Sequence, residues 1–154
     1  MMDDWIVHRT ITIDAPASAV WNALTDPESI KQWMSDYKVE IISKWKAGST
    51  IITKGDLHGI NFENKGTILQ FEPEKIFEYT FWSTLSEQAD IPENYSVITF
   101  RLSQAGNKTT LLFTQKNFVA ETTFKHSDFY WRGTLEIIKK LTEKYEHDSR
   151  IIKS

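Results

Sequence analysis

The segment Trp131-Arg132-Gly133-Thr134-Leu135-Glu136-Ile137-Ile138-Lys139-Lys140-Leu141-Thr142-Glu143-Lys144-Tyr145 decides the fold. Trp131, Leu135, Ile138, Leu141 and Tyr145 recur at intervals of three and four, so they share one arc of a helical wheel, with Thr134 and Thr142 between them. On the outer face Glu136 and Lys140, and Lys139 and Glu143, stand at i,i+4, a spacing worth a few tenths of a kcal/mol per pair and typical of a solvated surface. Burying the five large side chains at about 1.5–3 kcal/mol each amounts to roughly 10 kcal/mol. Packing therefore positions this helix, and the rest of the chain has to supply the apolar surface it packs on.

Upstream, the period changes from 3.6 to 2. Thr109 to Gln115 aligns Leu111 and Phe113, and Tyr95 to Leu102 aligns Ile98, Phe100 and Leu102, with Ala105-Gly106-Asn107-Lys108 reversing the chain between them. Ile76 to Ser83 puts Phe77, Tyr79 and Phe81 on one face. Glu72-Pro73-Glu74-Lys75 links that run to Thr67–Phe71, proline fixing φ for a tight turn. Asn64-Lys65-Gly66 predicts a kink in one long strand, and Gly55-Asp56-Leu57-His58-Gly59 predicts a hairpin link between Thr50–Thr53 and Ile60–Phe62. Thr84 to Asn94 carries no apolar period and reads as an open loop.

At the front of the chain, Val7, Ile11 and Ile13 alternate with His8, Thr10 and Thr12 as in a half-buried strand. Asp14-Ala15-Pro16 offers an N-cap type residue and a proline for a first helical turn, and Val20, Trp21 and Leu24 give a short apolar stripe over Pro16 to Thr25. Asp26-Pro27-Glu28 opens a second short helix through Ile30 and Trp33. The expected class is α+β: a curved antiparallel sheet wrapped around a long C-terminal helix, with two short helices after the first strand.

The 154 residues, with no repeat, linker or low-complexity tract, predict a single domain over 1–154. At about this length close to 70% of the unfolded chain's surface is buried, enough for a core without a staple. Eighteen Lys and Arg against 21 Asp and Glu leave a net charge of −3, which argues against nucleic acid as a partner. The absence of cysteine excludes disulfides, thiolate catalysis and Cys-ligated zinc. Met1-Met2-Asp3-Asp4-Trp5 lacks the basic and long apolar regions of a secretory signal, and no run of about 18 apolar residues supplies a membrane span, so the expected address is cytoplasmic.

Several strings resemble those of a known family. Ile13-Asp14-Ala15-Pro16, then Val20-Trp21, Leu24-Thr25-Asp26-Pro27 and Trp33, are similar to the opening of the Aha-type family, the domain shared with the activator of the 90-kilodalton heat-shock chaperone's ATPase. Gly66-Thr67-Ile68 through Glu72-Pro73, with Tyr79-Thr80-Phe81-Trp82, resembles its middle motif, and Trp131 with Leu135 and Ile138 its terminal-helix motif. The likeness runs from about Ile11 to Tyr145. It implies the helix-grip fold of the START and birch-pollen-allergen superfamily (SRPBCC), whose members bind lipophilic molecules between sheet and terminal helix and in some cases use that cavity for cyclisation or dehydration. Gln70 and Tyr130 depart from the pattern, standing where a glutamate and a glycine are common. Chaperone activators also carry a further domain not read in this sequence.

The residues themselves point to the same place. Phe62, Phe71, Tyr79, Phe81, Phe100 and Phe113 from strands, with Trp131, Leu135 and Ile138 from the helix, can line an apolar space for a small hydrophobic ligand. Taken singly, each of these rings reads foremost as core filling, and it is the set that points to a cavity. No Gly-x-Ser-x-Gly elbow, His-x-His or His-Glu-x-x-His occurs, so neither acyl-enzyme chemistry nor a metal is expected, and no cofactor is implied. For an acid/base enzyme acting on a hydrophobic substrate the candidates are Tyr79, Glu63 and His58, although Asp56 and His58 read foremost as a surface turn. Arg132 reads as exposed. Lys38, Lys44, Trp45 and Lys46 read as solvated strand ends, with Trp45 either a contact surface or core. A chaperone-stimulating interaction module and a homodimer complete the expected partners.

Overall fold

The computed structural model describes residues 5–34 and 38–153. In chain order the elements are β1 (Val7–Ile13), α1 (Ala17–Thr25), α2 (Pro27–Trp33), β2 (Lys38–Ser43), β3 (Thr50–Leu57), β4 (Ile60–Glu72), β5 (Ile76–Ser83), β6 (Ser96–Ala105), β7 (Lys108–Lys116) and α3 (Glu121–Lys153). The strands form one curved antiparallel sheet in the order β1-β7-β6-β5-β4-β3-β2. Strands β2 to β7 follow one another as a meander, and β1 closes the other edge by pairing with β7, Val7 opposite Gln115 and Ile13 opposite Thr109. This is the expected helix-grip architecture.

Helix α3 has 33 residues, about 50 Å at 1.5 Å per residue, and begins ten residues before the arc legible in the sequence. Trp131, Leu135 and Ile138 are buried as expected, as are Thr134 and Thr142. Tyr145 is not. It is 52% exposed, with its hydroxyl hydrogen-bonded to Gln32 Oε1, and Leu141 is only half-buried. The arc expected to bury five large residues thus buries three fully, because the helix outruns the sheet at its C-terminal end.

The Lys139–Glu143 pair is also more than a solvated i,i+4 pair. Lys139 Nζ donates to Thr12 O and to Glu143, each at 2.7 Å, and Glu143 Oε2 accepts the Asp14 backbone N–H at 2.7 Å. Desolvation raises the Glu143 carboxyl, but those two donors outweigh it and hold the group below its ordinary value. Farther along, Arg9 pairs with Asp128 at 2.8 Å, so β1 is tied to α3 at two levels.

Asp14 does not cap α1. Pro16 occupies the N-cap position without a side-chain bond, and Gln104 from β6 accepts the Ala17 N–H at 2.8 Å instead. A tertiary partner has replaced the local cap. Asp26 does cap α2, accepting from Ser29 N at 3.0 Å.

Two strand boundaries depart from the sequence reading. Gly55, Asp56 and Leu57 belong to β3, and the reversal is confined to His58 and Gly59, both at positive φ. Gly55 sits mid-strand opposite Phe62, where a Cβ would stand 2.7 Å from the Phe62 ring; the glycine leaves room for that ring. The irregularity of β4 falls between Ile68 and Gln70, not at Asn64-Lys65-Gly66. Gly66 instead permits close strand contact: a Cβ there would lie 1.6 Å from Thr80 O, while Thr67 N donates to Thr80 Oγ1 at 2.8 Å. Trp45 is partly buried against the core, 6.4 Å from the Phe71 ring and 6.1 Å from Phe77. The 84–94 loop contains two single 3-10 turns, Thr84–Ser86 and Pro92–Asn94.

Candidate functional site

The inner face of the sheet is set by the alternation of each strand, and side-chain size falls along it. At one level Phe77, Phe100 and Phe113 are register partners across β5, β6 and β7, their rings 6.1 and 5.3 Å apart. Trp131 of α3 covers this row, 4.4 Å from Phe113 and 5.7 Å from Phe100. One level on, the partners are Tyr79, Ile98 and Gln115. Beyond them come Phe81 opposite Ser96, then Ser83 opposite Asn64. Rings give way to short or polar side chains at the end of the sheet beside the 84–94 loop.

A cavity of about 540 Å³ opens there. Its walls come from β2 to β7, from Ile30, Trp33 and Met34 around α2, and from the first half of α3. Exposed members of its lining, Leu85, Glu87, Val119 and His126, mark a rim between the 84–94 loop and the start of α3. The loop is anchored beside the rim. Lys65 Nζ is paired with Asp90 and lies 5.5 Å over the Trp82 ring, Tyr95 OH donates to Asp90 at 2.6 Å, and Trp82 Nε1 donates to Gln88 O at 3.1 Å. The hydrogen bonds from Lys65 and Tyr95 hold the Asp90 carboxyl below its ordinary value; burial, assisted by Asp90, pushes the Tyr95 phenol up to about 12.

Of the nine ring and aliphatic residues proposed from sequence, Phe62, Tyr79, Phe81, Phe100 and Trp131 line the cavity. Phe71, Phe113, Leu135 and Ile138 lie outside it, packed in the core; the Phe71 ring stands 5.1 Å from Trp21. Among the acid/base candidates only Tyr79 is in the wall. Its ring is half-buried, bordering the cavity and packed beside Phe77 and Phe100, and desolvation there pushes the phenol well above its ordinary value. At neutral pH it is a hydrogen-bond donor and not a base. His58 is exposed at the β3–β4 turn, where Asp56 accepts from Gly59 N at 2.6 Å, and Glu63 lies outside the lining with its N–H bonded to Thr84 Oγ1. Arg132 is exposed beside Asp128. Gln70 is on the outer surface, donating to Glu78 at 3.1 Å, so its departure from the family pattern does not touch the cavity; Tyr130 does line it.

Sequence reasoning passed over the polar part of the wall: Asn64, Ser83, Ser96 and Gln115. The signal was present, since Ser96 shares the parity of Ile98 and Phe100, and Gln115 that of Leu111 and Phe113. No cluster of three or more metal-ligating side chains exists among the described residues. No described helix is long and apolar enough to cross a membrane.

The sequence pattern of the family described as Activator of Hsp90 ATPase homolog 1-like protein (AHSA1) matches residues 14–143. The chain belongs to the AHSA1 family. Among solved structures, this AHSA1-family chain is similar to ChR145 from Cytophaga hutchinsonii, with 39% identity over 91% of this chain and 94% of that one and a TM-score of 0.77. The Aha1 dimer from Colwellia psychrerythraea is 24% identical over 90% and 96% of the two chains, with a TM-score of 0.70. CalU16 from Micromonospora echinospora is 22% identical over 88% and 73%, with a TM-score of 0.66. The last two show a shared fold alone. Among curated protein sequences none matches significantly.

Proposed function

We propose that this AHSA1-family protein acts as one domain in the cytoplasm and binds a small hydrophobic molecule in the cavity between the sheet and α3. The observation that carries the reading is the cavity itself: a space of about 540 Å³, within the roughly 300–1,000 Å³ of small-molecule sites, lined by Phe62, Tyr79, Phe81, Phe100 and Trp131 together with a few polar groups. Aromatic walls give affinity by removing apolar ligand surface from water, and sparse polar groups orient what binds. The desolvated titratable group in the wall, Tyr79, keeps its proton, which favours binding over acid/base catalysis. Homodimer formation, seen in the Colwellia relative, is part of the same proposal.

Fluorescence titration with N-phenyl-1-naphthylamine tests it, with native mass spectrometry reading ligand and subunit stoichiometry. Saturable binding is expected, weakened roughly fivefold, the equivalent of about 1 kcal/mol, in Phe81→Ala. Tyr79→Phe, which keeps the ring, should retain most of the affinity. Affinity unchanged in Phe81→Ala and in a folded Trp131→Ala would place the ligand elsewhere and reject this site.

A further inference from the structure

Gln115 is 1% exposed in β7, on the inner face that also carries Thr109, Leu111 and Phe113. Its Nε2 donates to Ser96 Oγ at 2.9 Å. The Ser96 hydroxyl in turn directs its proton to Phe81 O at 3.4 Å, so toward Gln115 the serine oxygen acts as acceptor. That fixes which way the amide faces: nitrogen to Ser96, carbonyl away from it. Gln115 Oε1 is then enclosed with no hydrogen-bond partner among the described residues, and Asn64 Oδ1 is in the same condition. Both residues line the cavity.

Enclosed acceptors without donors are rare, because the group has lost water and gained nothing in its place. An apolar side chain at 115 would fill the position without that cost, and no group among the described residues uses the carbonyl. Resting on the proposal that the cavity binds a hydrophobe, we infer that the bound molecule carries a neutral hydrogen-bond donor, a hydroxyl or amide N–H on an otherwise apolar body, seated against Gln115 Oε1. Asn64, three strands away in the sheet order, offers a second acceptor toward the other side of the cavity. A carboxylate brings only acceptors and meets Gln115 Oε1 with repulsion. Of the basic groups in the lining, Lys65 is engaged with Asp90 and His126 is exposed at the rim.

Three probes of one shape decide the matter by isothermal titration calorimetry: 2-naphthol, 2-methylnaphthalene and 2-naphthoate. In the wild type 2-naphthol binds tighter than either of the others, and in Gln115→Leu its advantage over 2-methylnaphthalene shrinks by about tenfold, the usual worth of one buried hydrogen bond. Asn64→Leu leaves most of that advantage in place. An unchanged ratio in Gln115→Leu, loss of it in Asn64→Leu alone, or tighter binding of 2-naphthoate overturns the inference while hydrophobe binding stands. Failure of all three, and of N-phenyl-1-naphthylamine, to bind the wild type removes the underlying proposal and this one with it. Should Gln115→Leu lose its native circular dichroism, Gln115→Met takes its place, and a wild-type preference for 2-methylnaphthalene overturns the inference without any variant.

Discussion

Adding a single methyl group at Gly66 and at Gly133 should have opposite effects. At Gly66 a Cβ would stand 1.6 Å from Thr80 O and 2.5 Å from Thr80 C. These are backbone atoms of the neighbouring strand, which cannot swing aside as a side-chain tip does. To reach an ordinary contact of 3.4 Å the two strands have to part by roughly 1.8 Å, which a close-packed interior does not absorb silently. The parting breaks the Thr67 N to Thr80 Oγ1 bond and strains its ladder neighbours; at about 1 kcal/mol for each of two or three hydrogen bonds, Gly66→Ala should destabilise by about 3 kcal/mol. For a chain of this size that lowers Tm by about 6–12 °C. Gly133 is exposed inside α3 and has nothing within 4 Å of its would-be Cβ, so Gly133→Ala should gain about 0.8 kcal/mol from helix propensity alone. Urea unfolding followed by circular dichroism separates the two. A Gly66→Ala midpoint within experimental error of the wild type, or shifts of the same sign, would refute the close-approach reasoning.

Filling tests the cavity against the core. Ile98→Phe, facing the space, should cost less than about 1 kcal/mol and weaken N-phenyl-1-naphthylamine binding, whereas Leu111→Phe, in solid packing outside it, should cost about 1–3 kcal/mol; equal costs in thermal unfolding count against an open space. On α3, Ile138→Ala should destabilise by about 2–5 kcal/mol and Tyr145→Ala by less than about 1 kcal/mol, since the first is fully buried and the second 52% exposed; similar losses would return Tyr145 to the core. In absorbance at 295 nm, the Tyr79 and Tyr95 phenols should stay protonated past about pH 10, where unfolded tyrosine ionises. Their folded values are raised, so their contribution to stability is full below about pH 10 and is lost as pH climbs, for Tyr95 through about 12; ordinary ionisation of every tyrosine in the folded state would contradict the burial of both.

Period carried most of the architecture. The 3.6-residue spacing of Trp131, Leu135 and Ile138 and the alternation along β1, β5, β6 and β7 are local signals, written wherever one face of an element is buried. What stayed illegible has non-local causes. Gly55-Asp56 reads as turn chemistry, yet the Phe62 ring needs the glycine, and Phe62 is seven residues away. Asp14 reads as a cap, yet Gln104 of β6, 87 residues from Ala17 along the chain, takes over. The start of α3 escaped because its first turns border a cavity and present His126 and the 76% exposed Phe129, leaving no continuous apolar stripe. Four of the nine proposed lining residues went to the core for a related reason. Counting rings locates apolar mass, and apolar mass fills space as readily as it borders it.

The position of the gap follows from that distinction. A sheet that curves around a helix can close only where facing side chains are long enough to meet. The Phe77–Phe100–Phe113 row meets Trp131 at ring-contact distances, so this level is solid. On β5 the inner face then runs Tyr79, Phe81, Ser83; on β6 it runs Ile98, Ser96; on β7 it ends with Gln115. Each step toward the 84–94 loop shortens the side chain or adds a polar atom. The void is therefore a consequence of three strands tapering at the same end, and its polar atoms are those of the residues that make the taper. Space and hydrogen-bonding capacity arise from the same residues, so an apolar replacement that closes the cavity also erases the acceptors that orient its contents.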